Sequence, residues 1–115
     1  MDTKLNQAAV DQAKELIKQG KVVLDEHGDW TESKPDPEAE NRFLDREGFA
    51  AYGRWHLGVK PGEDPEEKGS YSFPYGDFRR VHRSGLIAVE QRAAQYGHRE
   101  IEAAAKELLG LLPDR

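Results

Sequence analysis

The sequence predicts a small, mainly α-helical protein, a single domain over residues 1–115 with four to five helices and an aromatic extended arm. Three observations predict it. Apolar residues recur at steps of three and four through most of the chain. Glycine and proline divide it into segments of helical length. One continuous stretch, Tyr71 to Tyr96 (YSFPYGDFRRVHRSGLIAVEQRAAQY), joins alternating aromatics, a turn and a long apolar stripe.

The first helix is expected to start at Asp2 or Thr3 and stop at Gly20, with Leu5, Ala9, Ala13, Leu16 and Ile17 as a thin apolar stripe. Lys21-Val22-Val23-Leu24 reads as a buried connection. The other option is that Val22–Leu24 pairs with Tyr71–Phe73, although a lone two-stranded pair is marginal. Asp25 to Pro37 reads as a loop, with Trp30 folded back over the core because a large ring gains most by burial. Asp36-Pro37 is a helix start, an N-cap followed by proline at the first helical position. Glu38 and Glu40 then suit the positive end of the dipole, and Phe43 and Leu44 supply the apolar side.

Gly48 separates this helix from an aromatic segment, Phe49–Leu57, in which Phe49, Tyr52 and His56 share a line and which Gly58 ends. Lys60 to Ser70 is an acidic loop. Tyr71, Phe73 and Tyr75 alternate as in an extended segment, and Pro74, lacking an N–H, confines that segment to a sheet edge or excludes it from a sheet. Asp77 is expected to cap a helix whose stripe runs Phe78, Val81, His82, Gly85, Leu86, Val89, Ala93 and Tyr96, with Gly97 after it. Gly85 costs a helix about 1 kcal/mol relative to alanine, which implies close approach by another helix or by the aromatic arm. A break at Ser84-Gly85 is the alternative. Ile101, Ala104, Ala105, Leu108, Leu109 and Leu112 form the last helix, closed by Pro113.

Charged residues make up 34% of the chain and the net charge is −5, a balance that favours solubility and argues against general nucleic-acid binding. The chain has no cysteine, which excludes disulfides and thiolate chemistry and leaves zinc only histidine and carboxylate ligands. No apolar run approaches the roughly 20 residues of a membrane span. The first residues lack the apolar core of a secretory signal, so a cytoplasmic location is expected.

The patterns MDTKLNQ, VVLDEHGDW, AYGRWHLGV, FPYGDFRRVHRSGLIA and AAKELLGLL resemble a family of small conserved actinobacterial proteins of unknown function. The most specific parts are Trp55-His56-Leu57-Gly58 and Tyr75 to Arg83. The resemblance spans nearly the whole chain and implies a free-standing cytoplasmic protein. It implies no substrate, cofactor or catalytic residue.

Three constellations could carry function, one of them the aromatics Trp30, Trp55, Tyr71, Phe73 and Tyr75, which could floor a ligand pocket or a peptide groove or could simply pack the core. Arg79, Arg80 and Arg83 would share the polar face of the long helix, and guanidinium forks suit phosphates and carboxylates. Tyr75 and Trp55 would flank them. The protein's own acids compete, since Asp25 to Glu47 holds nine acidic residues against three Lys and Arg. The last constellation is His56, Asp77 and His82, which would meet if Phe49–Leu57 packed on the long helix and could then form an acid–base pair or a metal site. No H-E-x-x-H, phosphate loop or nucleophile elbow is present. Ser72 and Ser84 have no base at a telling spacing. The expected function is therefore a non-enzymatic interaction protein, without cofactor, that holds an acidic partner or anionic ligand through Arg79, Arg80 and Arg83. The alternative is a small enzyme or metal-binding domain using His56, His82 and Asp77.

Overall fold

The computed structural model describes residues 2–114. In chain order the elements are β1 (Lys4–Leu5), α1 (Gln7–Lys18), β2 (Val22–Val23), α2 (Trp30–Ser33), α3 (Pro37–Gly53), β3 (His56–Val59), β4 (Tyr71–Pro74), β5 (Val81–His82), α4 (Arg83–Gln95) and α5 (Arg99–Leu111). The fold is mainly α, as expected, and carries two small sheets. One is antiparallel with order β1-β3-β4, and the other is the parallel pair β2-β5. Helices α4 and α5 pack on one another, and α1 packs on α5 and the strands. The core collects Ala9, Val10 and Ala13 of α1, Leu86, Val89 and Ala93 of α4, and Ile101, Ala105 and Leu108 of α5 around Leu57 and Tyr75.

Several expected punctuation marks hold. Asp36 accepts from Ala39 N–H at 2.8 Å and caps α3, and Gly20, Gly48 and Gly97 take left-handed backbone at the stops. At Gly48 the non-helical backbone kinks α3. Trp30 is buried, within the short helix α2 rather than a bare loop. Pro74 lies on β4, an edge strand, where its missing donor faces no neighbour.

Four expectations are corrected. The first helix begins at Gln7, because Lys4 and Leu5 pair with Val59 and Gly58 as a strand. The segment Phe49–Leu57 is not one helix: helix ends at Gly53, and His56–Val59 is the central strand β3. Gly58 is then a gap in the sheet rather than a stop. A Cβ there would stand 2.6 Å from Ser72 Oγ and 2.7 Å from Phe73 Cδ2. Val22–Val23 pairs with Val81–His82 in parallel, not with Tyr71–Phe73, which pairs with β3.

The fourth correction concerns the long helix. It starts at Arg83, not at Asp77, and runs through Gly85 without a break. Asp77 does accept backbone N–H groups, from Arg79 at 3.0 Å and Arg80 at 2.7 Å. Those bonds close a turn instead of capping a helix. An aspartate that binds the donors two and three residues on offers the backbone an alternative to helix. Phe78 takes φ 70 in that turn and stacks on Phe43 with centroids 4.3 Å apart. Val81 and His82 then extend to pair with β2, so the apolar spacing from Phe78 to Gly85 mimics a helix that the backbone does not form. Tyr96, the expected last member of the stripe, is exposed, with Arg92 over its ring.

Gly85 does have the expected packing reason, and the aromatic arm supplies it. A Cβ at Gly85 would lie 2.7 Å from the Tyr75 carbonyl oxygen and 3.1 Å from the Trp30 ring. That carbonyl also accepts from His82 N–H at 3.1 Å, so it is not free to retreat. Gly85→Ala should therefore reverse the usual helix preference and destabilise the fold by about 2 kcal/mol, as overpacking does. A lowered chemical-denaturation midpoint with an unchanged slope checks this; a raised midpoint would contradict it.

Candidate functional site

The parallel pairing of β2 with β5 sets Val23 beside His82, so the residues that follow each strand emerge at the same end. Asp25 therefore reaches the start of α4. Its Oδ1 accepts from Ser84 N–H at 2.8 Å and its Oδ2 from the Ser84 hydroxyl at 2.8 Å. This is an N-cap supplied from 59 residues away in sequence, and a carboxylate at a helix N-terminus also meets the favourable end of the dipole. The His82 ring lies between two carboxylates: Nδ1–H donates to Asp25 Oδ2 at 2.8 Å and Nε2–H to Asp77 Oδ2 at 2.8 Å. Ionised carboxylates only accept, so both ring nitrogens carry protons and the ring is an imidazolium. His82 is 5% exposed. Burial works against its charge, but the bonds to Asp77 and Asp25 outweigh it and raise the pKa above the usual histidine value. Burial likewise disfavours the Asp77 anion, yet His82 and the N–H groups of Arg80 and Arg79 hold its pKa down to about 2. Asp25 is also lowered: His82 and Ser84 outweigh its burial.

His82 and Asp77 thus meet, as the sequence suggested, but His56 does not join them. His56 lies on β3, stacked at 4.5 Å on Tyr52, with no hydrogen bond or ring contact to His82. With both nitrogens protonated, His82 has no lone pair for a metal, and no group of three or more His, Asp or Glu among the described residues is arranged to hold one. The expected arginine face is also dispersed. Arg79 and Arg80 sit exposed on the turn, and Arg80 lies 3.7 Å from Asp77. Arg83, on α4, donates to the Asp25 carbonyl at 3.2 Å and lies 3.9 Å from Glu26. Tyr75 and Trp55 are 0% and 6% exposed and stack on each other at 5.5 Å, so they are core, not surface anchors. The Tyr75 hydroxyl donates to Arg54 O at 2.8 Å and accepts from Gln12 Nε2 at 3.2 Å.

A concavity lies elsewhere. A cleft of about 810 Å³ runs between the β3-β4 sheet and helices α2, α3 and α4. Its walls are largely aromatic: Trp30, Tyr52, Tyr71 and Phe73. Trp30 packs its ring 5.6 Å from His82, so the carboxylate-bound imidazolium backs one wall. Lys34, Lys68 and Arg92 line the cleft against a single carboxylate, Glu40. Lys68 lies 3.2 Å from Glu40, while Lys34 and Arg92 form no ion pair among the described residues. The cleft is therefore cationic on a chain of net charge −5.

The sheet forms its floor. His56 pairs with Pro74, and Gly58 pairs with Ser72. Residues opposite each other and two apart share a face, so His56 and Ser72 lie diagonally on the same side. Asn6 steadies the junction, donating to Gly53 O at 2.9 Å and His56 O at 3.1 Å. His56 Nδ1 is 2.9 Å from the Tyr52 carbonyl. A carbonyl can only accept, so the proton is on Nδ1 and Nε2 keeps its lone pair. Burial pushes the His56 pKa down to about 4, against the pull of that hydrogen bond and of Glu40. Nε2 has no protein partner among the described residues, and neither has the buried Ser72 Oγ. The Tyr52 hydroxyl donates to Glu40 Oε2 at 3.2 Å, and burial and that carboxylate raise its pKa.

The fold and the cleft define a small, mainly α-helical protein with an aromatic, cation-rimmed pocket. No family model matches the chain, and neither a curated protein nor a solved structure matches it significantly. Among the described residues no helix is long and apolar enough to cross a membrane.

Asp25, Lys34, Glu40, Lys68, Ser72 and Arg92 were not distinguished as site residues by sequence. Each acquires its role from a pairing between distant segments, and none stands in a spaced motif.

Two expected outcomes follow from these environments. Well above its unfolded value of 6.5 His56 is neutral in both folded and unfolded chains and contributes no slope; below that value its burial makes stability rise with pH. His82, whose folded pKa is raised above the unfolded value of 6.5, contributes its full stabilisation below that value and loses it as pH rises through the folded pKa. The His82 contribution should therefore fall as pH rises above 6.5, and His82→Phe should lack that fall. It should also be less stable at neutral pH by about 3 kcal/mol, because two carboxylates lose their shared cation; denaturant titrations at several pH values check both. Ser72→Ala removes an unpaired buried hydroxyl and should leave stability unchanged or raise it by about 1 kcal/mol, read as the shift in thermal midpoint.

Proposed function

We propose that this protein is a non-enzymatic binding module that holds a small anionic molecule with a flat apolar body in the cleft. The observation that carries this reading is the juxtaposition of aromatic walls with three cations and one acid in a concavity of about 810 Å³. Small-molecule sites typically measure about 300–1,000 Å³ and combine an apolar lining with a few placed polar groups. This keeps the anionic ligand expected from sequence and moves its site from Arg79, Arg80 and Arg83 to Lys34, Lys68 and Arg92. Burial of Trp55 and Tyr75 removes the aromatic flank from the former site.

Two features favour binding over catalysis. A histidine held at about 4 is a weak base at neutral pH, far from the matched pKa that efficient proton transfer needs. The other buried histidine is saturated by Asp25 and Asp77, which makes it a structural cation.

The test compares naphthalene-2-carboxylate with uncharged 2-naphthalenemethanol by tryptophan fluorescence and calorimetry. The carboxylate should bind more tightly, with affinity falling as salt rises. Lys34→Gln with Arg92→Gln should weaken it on the order of tenfold, the equivalent of about 1.4 kcal/mol. Arg79→Gln with Arg80→Gln should leave it unchanged. Equal binding of acid and alcohol, or loss of binding only in the Arg79 and Arg80 variant, would overturn the cleft reading.

A further inference from the structure

The floor of the cleft carries two polar atoms that the protein leaves without partners, and their chemistry restricts what the cleft can hold. Ser72 Oγ is buried and unpaired. His56 is 3% exposed, its Nδ1–H is committed to the Tyr52 carbonyl at 2.9 Å, and its Nε2 presents a lone pair. Buried polar groups are nearly always paired in folded proteins. Here one is unpaired, Ser72 Oγ, and it shares a sheet face with His56, whose Nε2 has no protein partner. The two positions are diagonal, with a separation of about 7–8 Å between backbones that side chains can bridge. The absence of a side chain at Gly58 makes room for the Ser72 hydroxyl on that face, since a Cβ there would stand 2.6 Å from it.

The two atoms ask for different things. His56 Nε2 accepts a hydrogen bond and cannot give one. Ser72 can do both. A carboxylate at the floor would answer Ser72 but would set its own lone pairs against that of His56. A hydroxyl answers both, donating to Nε2 and accepting from Ser72 O–H. The cations stand on the solvent side of the cleft: Lys34 and Arg92 are exposed, and Lys68 is half-buried.

We propose that the ligand is a hydroxyaryl acid, bound with its phenolic hydroxyl on His56 and Ser72 at the floor and its carboxylate toward Lys34, Lys68 and Arg92 at the rim. This inference rests on the cleft reading above and adds the ligand's polarity and orientation. In it His56 and Ser72 are specificity-determining residues. The unprotonated state of His56 supports the assignment, because an imidazolium would offer the hydroxyl no acceptor.

The test titrates wild-type protein with 6-hydroxy-2-naphthoate, 6-methoxy-2-naphthoate and naphthalene-2-carboxylate, with 2-naphthalenemethanol as the uncharged control. The hydroxy acid should bind at least tenfold more tightly than the other two acids. It alone should shift the His56 Nε2 resonance in nitrogen-15 spectra, as that atom accepts a hydrogen bond. Ser72→Ala, a change the fold should tolerate, should reduce the preference severalfold, and His56→Leu should abolish it. If all three acids bind wild-type protein equally and the Nε2 resonance is unmoved, the floor assignment is wrong while the cleft reading stands. If none binds more tightly than the uncharged alcohol, the cleft reading fails and the floor assignment fails with it.

Discussion

A buried imidazolium between two carboxylates holds together the segments on which the rest of the molecule depends. Asp25 comes from the chain after β2, Asp77 from the turn before β5, and His82 from β5 itself, so one ring pins three pieces of backbone. Asp25 also caps α4 through Ser84. Removing two acids and a histidine from water is costly, and such a group is tolerated when each partner is hydrogen-bonded as fully as here. Its consequence is positional. It fixes where α4 begins, and it sets Trp30 against His82, from where the indole forms one wall of the cleft. The close approach of α4 to the Tyr75 backbone, possible because residue 85 is glycine, belongs to the same junction.

The cleft follows a different logic. Its acid, Glu40, is occupied by the Tyr52 hydroxyl and Lys68, which leaves the remaining cations to set the local field. Its two histidine-bearing neighbourhoods are driven in opposite directions: His82 towards the charged form by its carboxylates, His56 towards neutrality by burial. His82 has both ring nitrogens bound to carboxylates and presents neither to the cleft. An interior with a fixed cation behind the wall and an unprotonated acceptor on the floor is better suited to recognition than to turnover. The unpaired Ser72 hydroxyl fits the same view, because natural proteins often leave stability unrealised where a ligand is to be met.

Much of the helical frame was legible in the sequence because it rests on local chemistry. Asp36-Pro37 started a helix, Gly20, Gly48 and Gly97 marked stops, and the spacing of Ile101, Ala104, Ala105 and Leu108 described the buried side of α5. Gly85 announced a close contact, and Pro74 an edge strand. His82 and Asp77, five residues apart, could be suspected of meeting. In the stretch from Phe78 to His82 a helical period was present without a helix. Apolar spacing says which side chains are buried, and a turn followed by a strand can bury the same ones.

By itself the sequence determined the helical class, several helix ends and the apolar faces, since these depend on residues within a few positions of one another. Tertiary structure decided the β2-β5 and β3-β4 pairings, the assignment of Trp55 and Tyr75 to the core, the capping of α4 by Asp25 and the gathering of Lys34, Lys68, Arg92, His56 and Ser72 around one cleft. Strand partners and site residues are chosen by contacts between segments tens of residues apart. A short strand's preference depends on the neighbour it finds, so no local pattern could specify those choices.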